Sequence, residues 1–241
     1  GIRLNAKKLK LKQSSIVFLE HLVSSEGLKP GPAKVEAVNK LPVPTSVEKV
    51  QRVNEFVNYL GKFLPRLSDV MEPLRKLTRA DAEWSWGQEQ DDAFQEIKNL
   101  VATAPILRYY DPKKELTIQC DASERGLGAA LLQEGQPIAY ASRALTDTET
   151  RYAQIEKEAL AIVYSVEKFN QYTYGRKVTI LSDHKPLESI IKNRYAKRQD
   201  VCKECYYAYN ATTYPSYTHK ESQCIWPIHF HVHSCQGRRN I

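Results

Sequence analysis

The sequence predicts an α/β fold, a mixed sheet with one long helix packed against it, preceded by a small, mostly helical region. Three observations predict it. Leu116-Thr117-Ile118-Gln119-Cys120-Asp121 and Val178-Thr179-Ile180-Leu181-Ser182-Asp183 are rich in apolar and β-branched residues and bounded by turn signals, as strands are. Between them, Ile155, Ala159, Ile162, Val163, Val166 and Phe169 recur at helical spacing. Upstream, prolines and cap residues separate several shorter helical patterns.

Taken in order, a basic opening, Lys7 to Lys12, leads into Ile16-Val17-Phe18-Leu19, a short strand. The basic run either contacts phosphate or is a solvated strand face. Pro32 suits the first turn of a helix that ends near Leu41, before Pro42 and Pro44. Ser46 caps the next helix, whose Val50, Val53, Phe56, Val57 and Leu60 form a core-facing stripe. A short helix follows Pro73, and another runs from about Gln88 to Val101 after Trp84-Ser85-Trp86, two tryptophans read as packing residues. Strands then begin: Leu116 to Asp121, Ala129 to Leu132 after Gly126-Leu127-Gly128, and Pro137 to Tyr140. The longest helix starts near Thr148 and stops before Gly175, and Val178 to Asp183 is the fourth strand of this group. Cys120, on the opposite face of its strand from Asp121, reads as a buried structural thiol.

Composition narrows the function classes. The 241 residues are 42% hydrophobic and 26% charged, an ordinary globular balance. No apolar run approaches the ~18 residues of a membrane span, so no membrane partner is expected. An odd cysteine count of five argues against a closed disulfide framework and for an intracellular site, cytoplasmic or nuclear. The net charge is +7, but residues 193–241 hold 7 basic and 3 acidic residues, +4, leaving +3 for the first 192. Charge alone is a faint push toward a polyanionic partner. Composition breaks near Asn193: the last 49 residues contain no leucine, yet hold four of the five cysteines and four of the six histidines.

Asp121 and Asp183 both end strands. If those strands are neighbours, the two carboxylates emerge on one rim. The long helix adds Glu156 and Glu158, which helical geometry alone does not separate. Clustered carboxylates repel, and a divalent cation is the usual compensation. Hard oxygen donors favour Mg²⁺ or Mn²⁺, and two such ions ~4 Å apart can activate water against a phosphodiester.

The local wording adds a resemblance. Asp121-Ala122-Ser123 with Gly126-Leu127-Gly128-Ala129, then Glu156-Lys157-Glu158-Ala159-Leu160-Ala161-Ile162, then Ser182-Asp183-His184-Lys185-Pro186-Leu187 resembles the ribonuclease H domain of Gypsy-type long-terminal-repeat retrotransposons. Upstream, Phe18-Leu19 through Gly27-Leu28-Lys29-Pro30, Asn58-Tyr59-Leu60 with Phe63, Pro73-Leu74, Trp84-Ser85-Trp86 and Ala104-Pro105-Ile106-Leu107 resemble the end of the reverse-transcriptase palm, the thumb and the connector. The resemblance implies a division into 1–28 (end of palm), 29–104 (helical thumb and connector), 105–192 (RNase H-like mixed sheet, C-terminally truncated) and 193–241 (a tail). It implies Asp121, Glu158 and Asp183 as catalytic, metal-binding carboxylates, Glu158 being chosen over Glu156 because Glu158 with Ala161-Ile162 fits the family's Glu-x-x-Ala-aliphatic signature. The implied reaction is Mg²⁺- or Mn²⁺-dependent hydrolysis of RNA in an RNA–DNA hybrid, with that hybrid and the remainder of a Pol polyprotein as partners. His184 reads as a plain strand-end residue rather than a nucleic-acid contact.

Departures are as informative. The family's Tyr-x-Asp-Asp polymerase turn is absent, and Asp91-Asp92 sits in a helical pattern, so no polymerisation by this segment alone is expected. Glu20 and Glu55 put acids where the family commonly has glycine, Glu20 near the primer-holding hairpin. In the tail, Cys202-x-x-Cys205, Cys224, His229, His231, His233 and Cys235 offer tetrahedral zinc donors, but in the reverse order of the integrase zinc domain. Back-translation explains them better. Read from the third base of each codon, Val201 to Tyr214 permits Leu-Gln-Arg-Met-Leu-Leu-Arg-Leu-Gln-Arg-Tyr-Asp, the family's leucine-rich helix. The same frame through Gln223 to His233 permits Ala-Asp-Thr-Leu-Ser-Arg, which contains the family's fourth metal-site aspartate. A frameshift near residue 193 is therefore expected to leave a disordered tail and a nuclease of reduced or absent activity, or a degenerate remnant that at most binds nucleic acid.

Overall fold

The computed structural model describes residues 12–183, Leu187 and the backbone of 230–234. The chain opens on an antiparallel meander of β1 (Ser15–Phe18), β2 (His21–Ser24) and β3 (Gly27–Pro30), of which only β1 is evident from sequence. β3 runs across the expected boundary at 28/29, and Leu28 exchanges backbone hydrogen bonds of 2.8 and 2.9 Å with Leu107. Residues just after 104 thus belong with this small sheet. Leu107 completes the helical core rather than that of the large sheet.

Leu19 and Glu20 form the two-residue loop between β1 and β2, both at positive φ (46° and 63°). Such loops favour Asn-Gly, because a Cβ is disfavoured at positive φ. The two-residue turn between Gln133 and Gln136 meets the same demand with Glu134-Gly135. At β1–β2 the strained loop is tied down instead: the Leu19 carbonyl accepts from Tyr59 Oη at 3.0 Å and from the His21 ring, and Glu20 pairs with Lys34 at 3.0 Å. That ion pair is half-exposed and worth under about 1 kcal/mol. Glu20→Gly is therefore expected to stabilise the protein by about 1 kcal/mol, read as a higher urea midpoint with an unchanged slope. An unchanged or lower midpoint contradicts the strain argument.

The helical region comprises α1 (Pro32–Asn39), α2 (Val47–Tyr59), a 3-10 turn (Gly61–Phe63), α3 (Leu67–Val70), α4 (Glu72–Lys76) and α5 (Gln88–Ala102). Ser46 caps α2, accepting from Lys49 N. The short helix expected after Pro73 is α4, with Pro73 in its first turn, and α3 precedes it where no helix was expected. Val50, Val53, Val57 and Leu60 are buried as the periodicity required, against Phe63, Leu74, Phe94 and Ile97. Each such side chain contributes about 1.5–3 kcal/mol on burial. Trp86 donates to Asp91 at 2.7 Å and meets Phe94 edge-on, a packing role.

The large sheet contains β4 (Leu116–Ala122), β5 (Gly126–Gln133), β6 (Gln136–Ala144), β7 (Val178–Ser182) and β8 (Phe230–Ser234), in the order β6-β5-β4-β7-β8. β4, β5 and β6 are antiparallel neighbours; β7 runs parallel to β4, and β8 parallel to β7. β8 is a strand within the tail expected to be disordered; its Phe-His-Val-His-Ser alternates with the strand period. The rest of the tail, including Cys202, Cys205, Cys224, His229 and Cys235, lies outside the described residues, as do residues 1–11 and His184.

The long helix is shorter than its pattern suggested. A 3-10 turn (Glu149–Arg151) precedes α6 (Gln154–Lys168), and α7 (Asn170–Thr173) follows a break at Phe169. Glu149 is engaged by Arg143 at 2.8 and 2.9 Å and by Thr146 N, while Glu156 accepts from Ala153 N at 2.9 Å and caps the true start. The most buried face is also rotated from the expected stripe, to Lys157, Glu158, Ala161, Ile162 and Ser165. Among the described residues no helix is long and apolar enough to cross a membrane.

Candidate active site

The parallel pairing of β4 with β7 runs in constant register from Leu116↔Val178 to Gln119↔Leu181. Continued two residues past the last pair, where β7 has ended at Ser182, that register would bring Asp121 opposite Asp183. Leu116, Ile118, Cys120 and Ala122 are buried in the core shared with α6, as are Val178, Ile180 and Ser182. Strand alternation therefore turns Asp121 away from this core, and Asp183 directly follows buried Ser182 at the end of β7.

Glu158 reaches this rim from the helix side. It is 4% exposed, and its oxygens accept from Gln154 Nε2 at 3.0 Å and Ser182 Oγ at 3.4 Å. Gln154 also donates to the Ala122 carbonyl at 2.8 Å, so one amide ties the glutamate to the strand that carries Asp121. Glu156 is exposed and occupied in capping α6. Geometry thus separates two residues that helical periodicity left equivalent. Gln154 and Ser182 were not legible as site residues, because their role depends on contacts across the sheet.

The electrostatics bind the three acids together. Burial, then the charge of Asp183, hold the Asp121 carboxyl above its ordinary range. Burial also raises Glu158; Gln154 opposes this, while Asp121 and Asp183 add to it. The Cys120 thiol is pushed well up by burial and by the nearby charges of Glu158, Asp121 and Asp183, and is inert. Among the described residues no three carboxylate, imidazole or thiol side chains lie within joint reach of one ion. The donor set still fits a hard divalent cation: all-oxygen, mutually repelling, and met on Glu158 only by neutral donors that an ion can replace.

A mixed five-stranded sheet with acids at the ends of two central parallel strands and on the covering helix defines an RNase H-like domain. Residues 86–180 match the family described as the RNase H-like domain found in reverse transcriptase. The chain is 37% identical over 191 residues to a retrovirus-related Pol polyprotein from transposon 297 of Drosophila melanogaster, covering 78% of this chain and 18% of that protein. It is 32% identical over 207 residues to the corresponding polyprotein of transposon gypsy of the same organism, covering 80% and 20%. The chain belongs with the Pol polyproteins of gypsy-type LTR transposons and carries their reverse-transcriptase RNase H-like domain. It spans about a fifth of the length of these relatives.

Solved structures agree on the fold. A foamy viral protease–reverse transcriptase in complex with double-stranded DNA superposes with a TM-score of 0.71 at 19% identity, over 94% of this chain and 39% of that one. The same viral enzyme in complex with an RNA/DNA hybrid gives 0.69 at 19% identity, over 98% and 33%.

Proposed function

We propose that this chain is the ribonuclease H portion of a retroelement reverse transcriptase, hydrolysing the RNA strand of RNA–DNA hybrids with Mg²⁺ or Mn²⁺ held by Asp121, Glu158 and Asp183. The observation that supports this is the parallel register of β4 with β7, whose continuation leads to Asp121 and Asp183, with Glu158 tied to the end of β4 through Gln154. Divalent ions at such a rim supply the activated water and stabilise the leaving oxygen. The protein's share is to keep its three acids near one another against their burial cost and mutual repulsion, which a bound cation would offset, and to keep Glu158 aimed through Gln154 and Ser182. The proposed partners are the hybrid and the remainder of a Pol polyprotein, in an intracellular setting.

A second reading, a degenerate remnant that binds nucleic acid without cleaving it, is favoured by one observation: back-translation after about residue 193 permits the family's sequence in a shifted frame. One assay separates the two. With a hybrid labelled on the RNA strand, the nuclease reading expects RNA-only cleavage that needs Mg²⁺ or Mn²⁺ and stops with chelator. Binding without cleavage by this chain, with cleavage regained by a frame-restored chain, supports the remnant. Cleavage that survives Asp183→Asn removes the assignment of the site.

A further inference from the structure

The turn that follows Asp121 is held from outside its own domain. Ser123 Oγ accepts from Gly126 N at 2.8 Å and Arg125 N at 3.3 Å, closing the β4–β5 turn locally. Its one proton has two acceptors in reach, the Gly126 carbonyl at 3.1 Å and, closer though 54 residues back in the chain, Asp69 Oδ1 on α3 at 2.6 Å. A charge-assisted bond of this length is about twice as strong as a neutral one. The contact is tight on both sides: a Cβ on Gly126 would lie 2.5 Å from Asp69 Oδ1 and 2.6 Å from Ser68 Oγ. Ser68 N meets Ser142 Oγ on β6 at 3.1 Å, and Glu72 on α4 pairs with Arg125 at 3.4 Å. The helical region thus grips the turn at two points, Ser123 and Arg125, and the neighbouring β6 at a third.

We infer that Asp69 is a positioning residue for the acidic rim: by anchoring Ser123 it fixes the strand end that carries Asp121, so the placement of the helical region sets the geometry of the carboxylates. This rests on the nuclease reading of the rim but concerns a different residue and a different element. Asp69 touches neither substrate nor ion; it acts through Ser123. Its charge and that of Arg66, 3.6 Å from its other oxygen, also bear on Asp121 in opposite senses. The acceptor therefore matters in its own right, beyond the charge that accompanies it.

The test uses the full chain with two readouts, Mn²⁺ affinity by electron paramagnetic resonance and amide hydrogen exchange of the peptide spanning 120–127. Asp69→Ala is expected to weaken Mn²⁺ binding about tenfold, the usual cost of losing an outer hydrogen bond at a metal site, and to speed exchange in the turn. Ser123→Ala is expected to match it, and the double variant to be no worse than either alone. Asp69→Asn keeps an acceptor and is expected to recover most of both losses. Wild-type values for Asp69→Ala, or losses that multiply in the double variant, overturn the inference. So does Asp69→Asn as impaired as Asp69→Ala while both melt at the parent temperature. If the parent chain takes up no Mn²⁺, the nuclease reading fails, and the exchange arm still decides whether Asp69 anchors the turn.

Discussion

Asp121→Asn is expected to lower Mg²⁺ and Mn²⁺ affinity by ~100-fold or more, since losing even an outer hydrogen bond at a metal site costs ~10–100-fold. The same change is expected to make the ion-free protein more stable. Asp121 is held above its ordinary pKa by burial and by Asp183, so the folded state resists its charge. A carboxyl raised on folding costs nothing at low pH, where both states are protonated, and its full penalty above the folded-state pKa. The stability gain of the asparagine variant should therefore vanish in strong acid and grow as the pH rises through the carboxylate range. For a protein of this size each 1 kcal/mol raises Tm by about 2–4 °C. Opposite signs for ion binding and stability mark a functional carboxylate rather than a structural one. Calorimetric titration with each ion and thermal melts at several pH values check both. Unchanged ion affinity, or a variant less stable than the parent at neutral pH, contradicts the assignment.

Restoring the reading frame after about codon 193 is the second large effect. The shifted frame would return a leucine-rich helix and the Ala-Asp-x-Leu-Ser-Arg segment, where this chain has a stretch without leucine. An amphipathic helix covers apolar surface that otherwise faces water. An additional carboxylate improves ion placement, where an error of about 1 Å already costs ~100-fold in rate. The frame-restored chain is expected to cleave a labelled hybrid ~100-fold faster than this one, with a higher melting temperature. Equal turnover and equal stability in the two chains refute the frameshift account. Sequencing the coding DNA around codon 193 examines it independently.

Much of the fold could be read from residues because its signals are local. Ser46 announces α2, Pro73 sits in the first turn of α4, and the apolar residues of β4 and β7 predict two strands that both end at an aspartate. The same locality explains what was missed. β2 and β3, His-Leu-Val-Ser and Gly-Leu-Lys-Pro, are too short and too mixed in polarity to show a period. The face of α6 was misjudged because it buries Lys157, Glu158 and Ser165, and an apolar stripe is blind to polar residues satisfied in the interior. Lys157 reaches the Glu124 carbonyl at 3.1 Å, a partner that only the folded chain supplies. Glu158 and Glu156 could be told apart by resemblance but not by helical spacing; their different burial settles which faces the rim. Asp69 carried no signal at all, lying 54 residues from the hydroxyl it receives. The two acids at family glycine positions also differ in consequence: Glu55 is solvated on α2, while Glu20 occupies a strained loop.

The central claim is that Asp121, Glu158 and Asp183 converge on shared divalent ions. Anomalous diffraction from crystals of this protein soaked in Mn²⁺ tests it most directly. The account predicts a manganese peak at the end of β4 and β7, with oxygens of Asp121 and Asp183 at ligand distance and Glu158 turned toward it. Manganese bound only elsewhere, or an empty rim at saturating Mn²⁺ with the three carboxylates facing apart, contradicts it.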